Sequence, residues 1–303
     1  MKRQFDIGVI SIMKTWFITG ATGGLATAVI KQLLENGDRV AVTSRKEGAF
    51  DDLKKQYGDQ LWQSSLDLSD EDDVKRTVNA AFNDLGKIDV LLNNAAYGLY
   101  GAIEEISERQ MKDVFEINLF GSLRTAKAFL PHFRKQGGGQ IIQISSMAGH
   151  YSTPAMGMYS ASKWAVEAAF DALSQEVAPF NIRVTIVDPG GIRTNFVGGN
   201  GAFGDRLSAY DNTPTGKITD IMQNGLTGAS QTEIDSYLKT IAGDPQKMAT
   251  KIVSLTQTDT PPLRIVLGSD AYQKIHSSLI SRIHALEENK TLSWSTDADD
   301  YTK

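Results

Sequence analysis

Two kinds of hydrophobic pattern alternate along this chain. Short apolar runs, many of them β-branched, lie at 16–19, 40–44, 61–66, 90–93, 140–145, 184–188 and 264–267, most of them next to Gly, Asn, Asp or Ser; this predicts buried strands. Between them, as in 71–85, 108–135 and 158–179, apolar residues recur every three or four positions, which predicts amphipathic helices. Strands alternating with helices predict an α/β fold, a doubly wound parallel sheet of about seven strands in a single domain. A Rossmann fold has that architecture.

The first strand runs directly into Gly20-Ala21-Thr22-Gly23-Gly24-Leu25-Ala26, and the helical spacing of Val29, Ile30, Leu33 and Leu34 follows at once. A glycine turn between a strand and a helix lets backbone approach a pyrophosphate closely, with free N–H groups and a positive dipole end at the helix start. A second strand at 39–44 closes a βαβ unit of the expected length, the context that distinguishes a dinucleotide site from an ordinary loop.

Tyr159 and Lys163 stand four residues apart in Tyr-Ser-Ala-Ser-Lys, with Ser146 thirteen residues upstream of the tyrosine. On a helix, positions i and i+4 share a face. A phenol titrates near ~10 in water, and a neighbouring ammonium would favour its ionised form. Taken alone, the pair reads equally well as a solvated helix face.

Composition narrows the chemistry. The 303 residues contain no cysteine, so thiolate nucleophiles, thiolate metal sites and disulfides are excluded and redox work must belong to a cofactor. No metal site is expected. The formal net charge of −5, with interspersed signs and no basic tract, argues against nucleic acid and anionic membrane as partners. Residues 1–13 have too short an apolar run for a signal peptide and are read as an N-terminal appendage, with Met13 as the natural start. No segment has the length of a membrane span, and a cytoplasmic location is expected. The domain is expected over 14–290, with a polar, frayed tail at 291–303.

In order along the chain stand Thr19-Gly20-x3-Gly24, Asp67-Leu68, Asn93-Asn94-Ala95-Ala96, Asn118, Ser146, Tyr159-x3-Lys163 and Pro189-Gly190-x3-Thr194. On these motifs the chain resembles the single-domain branch of the short-chain dehydrogenase/reductase family, over residues 14–267. Two positions depart from the family pattern. Ala26 replaces the third turn glycine, an accepted alternative, and Ala96 replaces the last glycine of Asn-Asn-Ala-Gly. Gly23 also fits the Thr-Gly-x2-Gly spacing of the family's extended branch, but Asn93-Asn94-Ala95 argues against that branch.

The resemblance implies hydride transfer between a nicotinamide cofactor and a carbonyl or secondary alcohol. Tyr159 would be the acid/base, Lys163 would lower its pKa and hold the nicotinamide ribose, Ser146 would bind the reacting oxygen, and Asn118 would keep a relay water near Lys163. Gly20, Thr22, Gly23, Gly24 and Leu25 would surround the diphosphate, Asp67 and Leu68 the adenine, and Asn94, Ala95 and Ala96 the ribose side. Pro189, Gly190 and Ile192 would fix the carboxamide and Thr194 would touch the diphosphate. At the end of the second strand Ser44 and Arg45 replace the acid that selects NAD; hydroxyl and guanidinium suit a 2′-phosphate, so NADP(H) is expected.

The substrate would be a small carbonyl or alcohol. Tyr97, His150, Tyr151, Met156 and Phe196 are candidate pocket walls, under a flexible lid at 195–236. The resemblance also implies a homo-oligomer. A catalytically silent dinucleotide sensor and an epimerase or dehydratase that retains NAD remain as alternatives.

Overall fold

In β1 (Thr15–Ile18) every residue is buried, as expected of a strand covered on both faces. The computed structural model describes residues 13–194, 201–225 and 230–301. Helix α1 (Gly24–Glu35) follows, then β2 (Arg39–Ser44), α2 (Asp51–Tyr57), β3 (Leu61–Ser65), α3 (Glu71–Leu85) and β4 (Val90–Asn93). The chain continues through a short β5 (Gly98–Tyr100), α4 (Glu108–Phe115), α5 (Ser122–Lys135), β6 (Gly139–Ile144), α6 (Gly157–Val177) and β7 (Ile182–Pro189). The C-terminal part holds β8 (Gly201–Phe203), α7 (Pro214–Asn224), α8 (Gln231–Thr240), α9 (Pro245–Ser254), β9 (Arg264–Leu267), α10 (Ser269–Glu288) and α11 (Lys290–Trp294).

Seven strands form one parallel sheet in the order β3-β2-β1-β4-β6-β7-β9. The order reverses between β1 and β4, and ligands of open α/β sheets bind at such a switch point, outside the carboxyl ends of the strands. On one face Leu25, Val29 and Leu33 of α1 pack with Met248 and Ile252 of α9. On the other, Val74 and Val78 of α3, Phe129 and Phe133 of α5, and Val166 and Phe170 of α6 form a second core. This is the expected doubly wound, single-domain Rossmann fold.

Three departures from the sequence reading bear on the site. The segment 108–135 is not one regular helix: residues Glu116–Gly121 form a π-turn between α4 and α5, and Asn118 lies in it, fully buried. The expected flexible lid contains fixed structure. β8 pairs in parallel with β5, and the main-chain N–H groups of Gly204, Asp205 and Leu207 donate to Tyr100, Glu105 and the Glu105 carboxylate. The expected frayed tail starts as helix α11. Residues 1–12 and 195–200, with Phe196, lie outside the described residues. Among the described residues no helix is long and apolar enough to cross a membrane.

Candidate active site

Gly20 adopts φ +61, and a Cβ there would stand 2.6 Å from the Ala95 Cα, so only glycine lets the turn settle on the end of β4. Gly24 meets Thr194 in the same way: a Cβ would lie 2.7 Å from the threonine Cβ. Asn94 donates from Nδ2 to the carbonyls of Gly20 at 2.9 Å and Thr19 at 3.3 Å. Its amide therefore braces the turn from behind. The Thr19 hydroxyl accepts from the Asn94 and Ala95 main chain, a brace that sequence reading missed.

The start of α1 contrasts with that of α3. In α3 the Asp70 carboxylate accepts from the N–H groups of Asp72 and Asp73, and acidic residues fill the first turn. In α1 the cap is Gly23, without a side-chain hydrogen bond and without an acid in the first turn. A helix start kept clear in this way fits an anion such as a dinucleotide diphosphate. Thr22 and Leu25 lie on the same turn.

At the end of β2 the Ser44 hydroxyl is engaged with Lys46, donating to its carbonyl and accepting from its N–H, so it shapes the turn that leaves Arg45 exposed. Asp67 accepts from the Ser69 hydroxyl and N–H, which hold its carboxyl below the usual range, and Leu68 beside it is buried. On the far side, the Asp270 carboxylate accepts from Gly191 N–H at 2.8 Å and lies where a Gly190 side chain would be. Pro189 ends β7, and Ile192 pairs with Gly243. Asp270 has no local signal; it arrives on α10 from the far end of the chain.

The acid/base residues meet at the ends of β6 and α6. Ser146 caps the short turn Met147–Gly149, accepting from Ala148 N–H, and its hydroxyl is hydrogen-bonded with Tyr159. Lys163 is 2 % exposed; its Nζ donates to the Ile144 carbonyl at 3.1 Å and stands 5.9 Å from the centroid of the Tyr159 ring. Burial pushes the Tyr159 phenol up to about 12 and pulls Lys163 down to about 8. The net shift of the phenol is therefore upward, against the expected lowering. The ammonium is turned to a main-chain carbonyl, and desolvation of the phenol outweighs the Ser146 bond that favours its ionised form.

Asn118 is fully engaged as well. Its Oδ1 accepts from Tyr97 N–H at 3.0 Å, and its Nδ2 donates to the Tyr97 carbonyl at 3.1 Å and to Ser162 Oγ at 3.0 Å. Ser162 in turn donates to the Tyr159 carbonyl. The side chain thus ties the Tyr97 backbone to α6, one turn from Tyr159.

Tyr97, Tyr151 and Met156 are half-buried around this centre, and burial raises both phenols. Tyr100, buried, stacks on the half-buried Phe203 at 5.4 Å, where β5 pairs with β8. His150 does not join this wall. Its Nε2 lies 3.1 Å from Asp188 and 3.8 Å from Glu167, behind Lys163, because two buried carboxyls attract the ring inward. Sequence reading missed both acids, although Tyr159, Lys163 and Glu167 continue one i, i+4 ladder along α6. The ligand atoms of His150, Glu167 and Asp188 lie within 4.8 Å of one another, close enough for a metal ion. Arg264 already lies 3.0 Å from Glu167, and Lys163 adds a second positive charge nearby, so protons suit the trio better than a divalent cation.

A clear helix start at a topological switch point, together with the half-buried Ser146 and the buried Tyr159 and Lys163, defines a dinucleotide-dependent oxidoreductase of the Rossmann class. Residues 14–202 match the family model described as short chain dehydrogenase, and the chain belongs to that family. It is 32% identical over 260 residues to the 3-ketodihydrosphingosine reductase of Bacteroides thetaiotaomicron, covering 83% of this chain and 86% of that one. A short-chain dehydrogenase from Streptomyces avermitilis superposes with a TM-score of 0.83 at 35% identity, over 95% of this chain and all of the other. ElxO, solved with NADP bound, superposes with a TM-score of 0.66 at 25% identity, over 84% and 96% of the two chains.

Proposed function

We propose that this protein is an NADP(H)-dependent carbonyl reductase whose substrates are apolar ketones or aldehydes and the corresponding alcohols. The observation that carries the reading is the half-buried Ser146 hydrogen-bonded with the buried Tyr159, one helical turn from the buried Lys163, in a sheet whose first helix has an open start. The exposed Arg45 at the end of β2, with no acid at Ser44, supports the phosphorylated cofactor, as does the NADP bound by ElxO.

Reduced nicotinamide supplies hydride to the carbonyl carbon. Tyr159 gives its phenolic proton to the carbonyl oxygen, which leaves an alcohol and a phenolate. The Ser146 hydroxyl, bonded to the phenol, aligns that oxygen and stabilises the charge developing on it. Lys163, as an ammonium, offsets the phenolate. A phenol held up at about 12 is protonated throughout the neutral range and so has a proton to give in reduction. The half-buried Tyr97, Tyr151 and Met156 suit an apolar substrate, and a relative is named for reducing 3-ketodihydrosphingosine.

The test is NADPH consumption by the purified chain over aldehydes, simple ketones, steroids, retinoids and 3-oxoacyl thioesters, repeated with NADH. NADPH should be oxidised with at least one apolar carbonyl and strongly preferred to NADH. Tight NADPH binding without oxidation across the whole panel would overturn the reading in favour of a dinucleotide sensor.

A further inference from the structure

Behind Lys163, away from the substrate wall, lies a charged cluster that the proposed chemistry does not use. Asp188, near the end of β7, is 0 % exposed, and Glu167 on α6 is 6 % exposed. Asp188 Oδ1, Glu167 Oε1 and Ser145 Oγ are all buried with no partner outside their own group, and Asp188 and Ser145 both act on Glu167 by hydrogen bonding. Two ionised carboxylates packed this way would repel each other, whereas a single proton between them satisfies an oxygen of each. The remaining oxygens are held from outside: His150 Nε2 lies 3.1 Å from Asp188 Oδ2, and Arg264 Nε donates to Glu167 Oε2 at 3.0 Å. Arg264 is itself anchored to Asp171 at 2.5 Å.

The backbone makes room for this arrangement. A Cβ at Gly149 would lie 2.9 Å from Glu167 Cγ and 3.2 Å from Ser145 Oγ, so the glycine allows the glutamate to reach the end of β6. A salt bridge serving stability alone would not require one carboxyl to be buried against another, an arrangement that costs folding free energy.

We infer that Glu167 and Asp188 are positioning residues that share a proton behind Lys163 and, by releasing it, keep the Lys163 side chain charged beside Tyr159. Every titratable or charged group facing the pair takes part: Lys163 on α6, His150 on the loop after β6, and Arg264 on β9 with its partner Asp171. Desolvation alone pulls Lys163 down, and the fields of Glu167 and Asp188 are what oppose it. Burial and the neighbouring Asp188 hold Glu167 up at about 7, and once the pair has released its proton the second negative charge retains the Lys163 ammonium. His150, half-buried and raised by Asp188, is more exposed than either buried acid and is the exit for the released proton.

The inference rests on the proposed function only for its consequence in turnover, and a titration without substrate tests it. The full chain is labelled with 13C at the lysine Cε, and its spectra are followed between about pH 6 and 11, with Lys163→Met identifying the Lys163 signal. That signal should titrate well below the ordinary lysine range. In Glu167→Gln and in Asp188→Asn its midpoint should fall by a further unit or so. Because glutamine has the shape of a protonated glutamate, Glu167→Gln carries the comparison even if Asp188→Asn does not fold. An unchanged or higher midpoint in the folded variants overturns the inference. If no carbonyl substrate is ever found, the proposed function fails while the titration still decides this point.

Discussion

The Glu105 carboxylate accepts from the Leu207 main-chain N–H at 2.9 Å, bridging 102 residues of sequence, and from Ala102 N–H at 2.7 Å. One buried acid thereby fixes both the segment after β5 and the segment after β8. Glu105→Ala would leave two N–H groups without their acceptor, at a cost of about 2–4 kcal/mol. Urea denaturation should show that loss, and limited proteolysis should cut the 201–211 segment faster. A variant as stable and as resistant as the parent would show that the clamp is dispensable.

Tyr159→Phe removes the phenolic proton assigned to the carbonyl oxygen while keeping the ring. Turnover should fall by about 10³-fold or more, with the NADPH dissociation constant changed by no more than about threefold, measured by cofactor fluorescence. Near-normal kcat would remove Tyr159 from its role.

Arg45→Ala takes away the guanidinium assigned to the 2′-phosphate. The ratio of kcat/KM for NADPH over NADH should drop about 10–100-fold, nearly all of it through NADPH, since charge-assisted bonds of this kind contribute about 1.5–3 kcal/mol. If NADPH and NADH lost efficiency equally, Arg45 would be a general support of the turn.

Glu167 gives stability a pH dependence of definite sign. Its folded pKa is raised to about 7, so the folded chain binds more protons than the unfolded one between the ordinary glutamate range and about 7. The contribution is full below that range and is lost as pH rises through about 7. Glu167→Gln cannot ionise and lacks this dependence. The difference in Tm, parent minus variant, should therefore shrink or reverse from about pH 5 to about pH 8 in scanning calorimetry. A difference independent of pH would mean that Glu167 titrates normally.

What the sequence determined by itself is what local spacing encodes. The period of the apolar residues located all seven main-sheet strands to within about two residues, because strands buried on both faces read as short apolar runs wherever they lie in the sheet. The glycine turn at Gly20–Gly24 and the Tyr159/Lys163 pair were legible for the same reason: each is one local backbone geometry carrying a fixed set of side chains. Only the tertiary structure decided which distant residues meet them. β5 and β8 pair across about a hundred residues, Glu105 and Asp270 reach the site from remote helical segments, and Asp188 turns His150 away from the substrate wall. The electrostatics were also beyond local reading. An ammonium four residues from a phenol suggests a lowered pKa, but the fold buries both groups and turns the ammonium to Ile144, and desolvation depends on the whole surrounding structure.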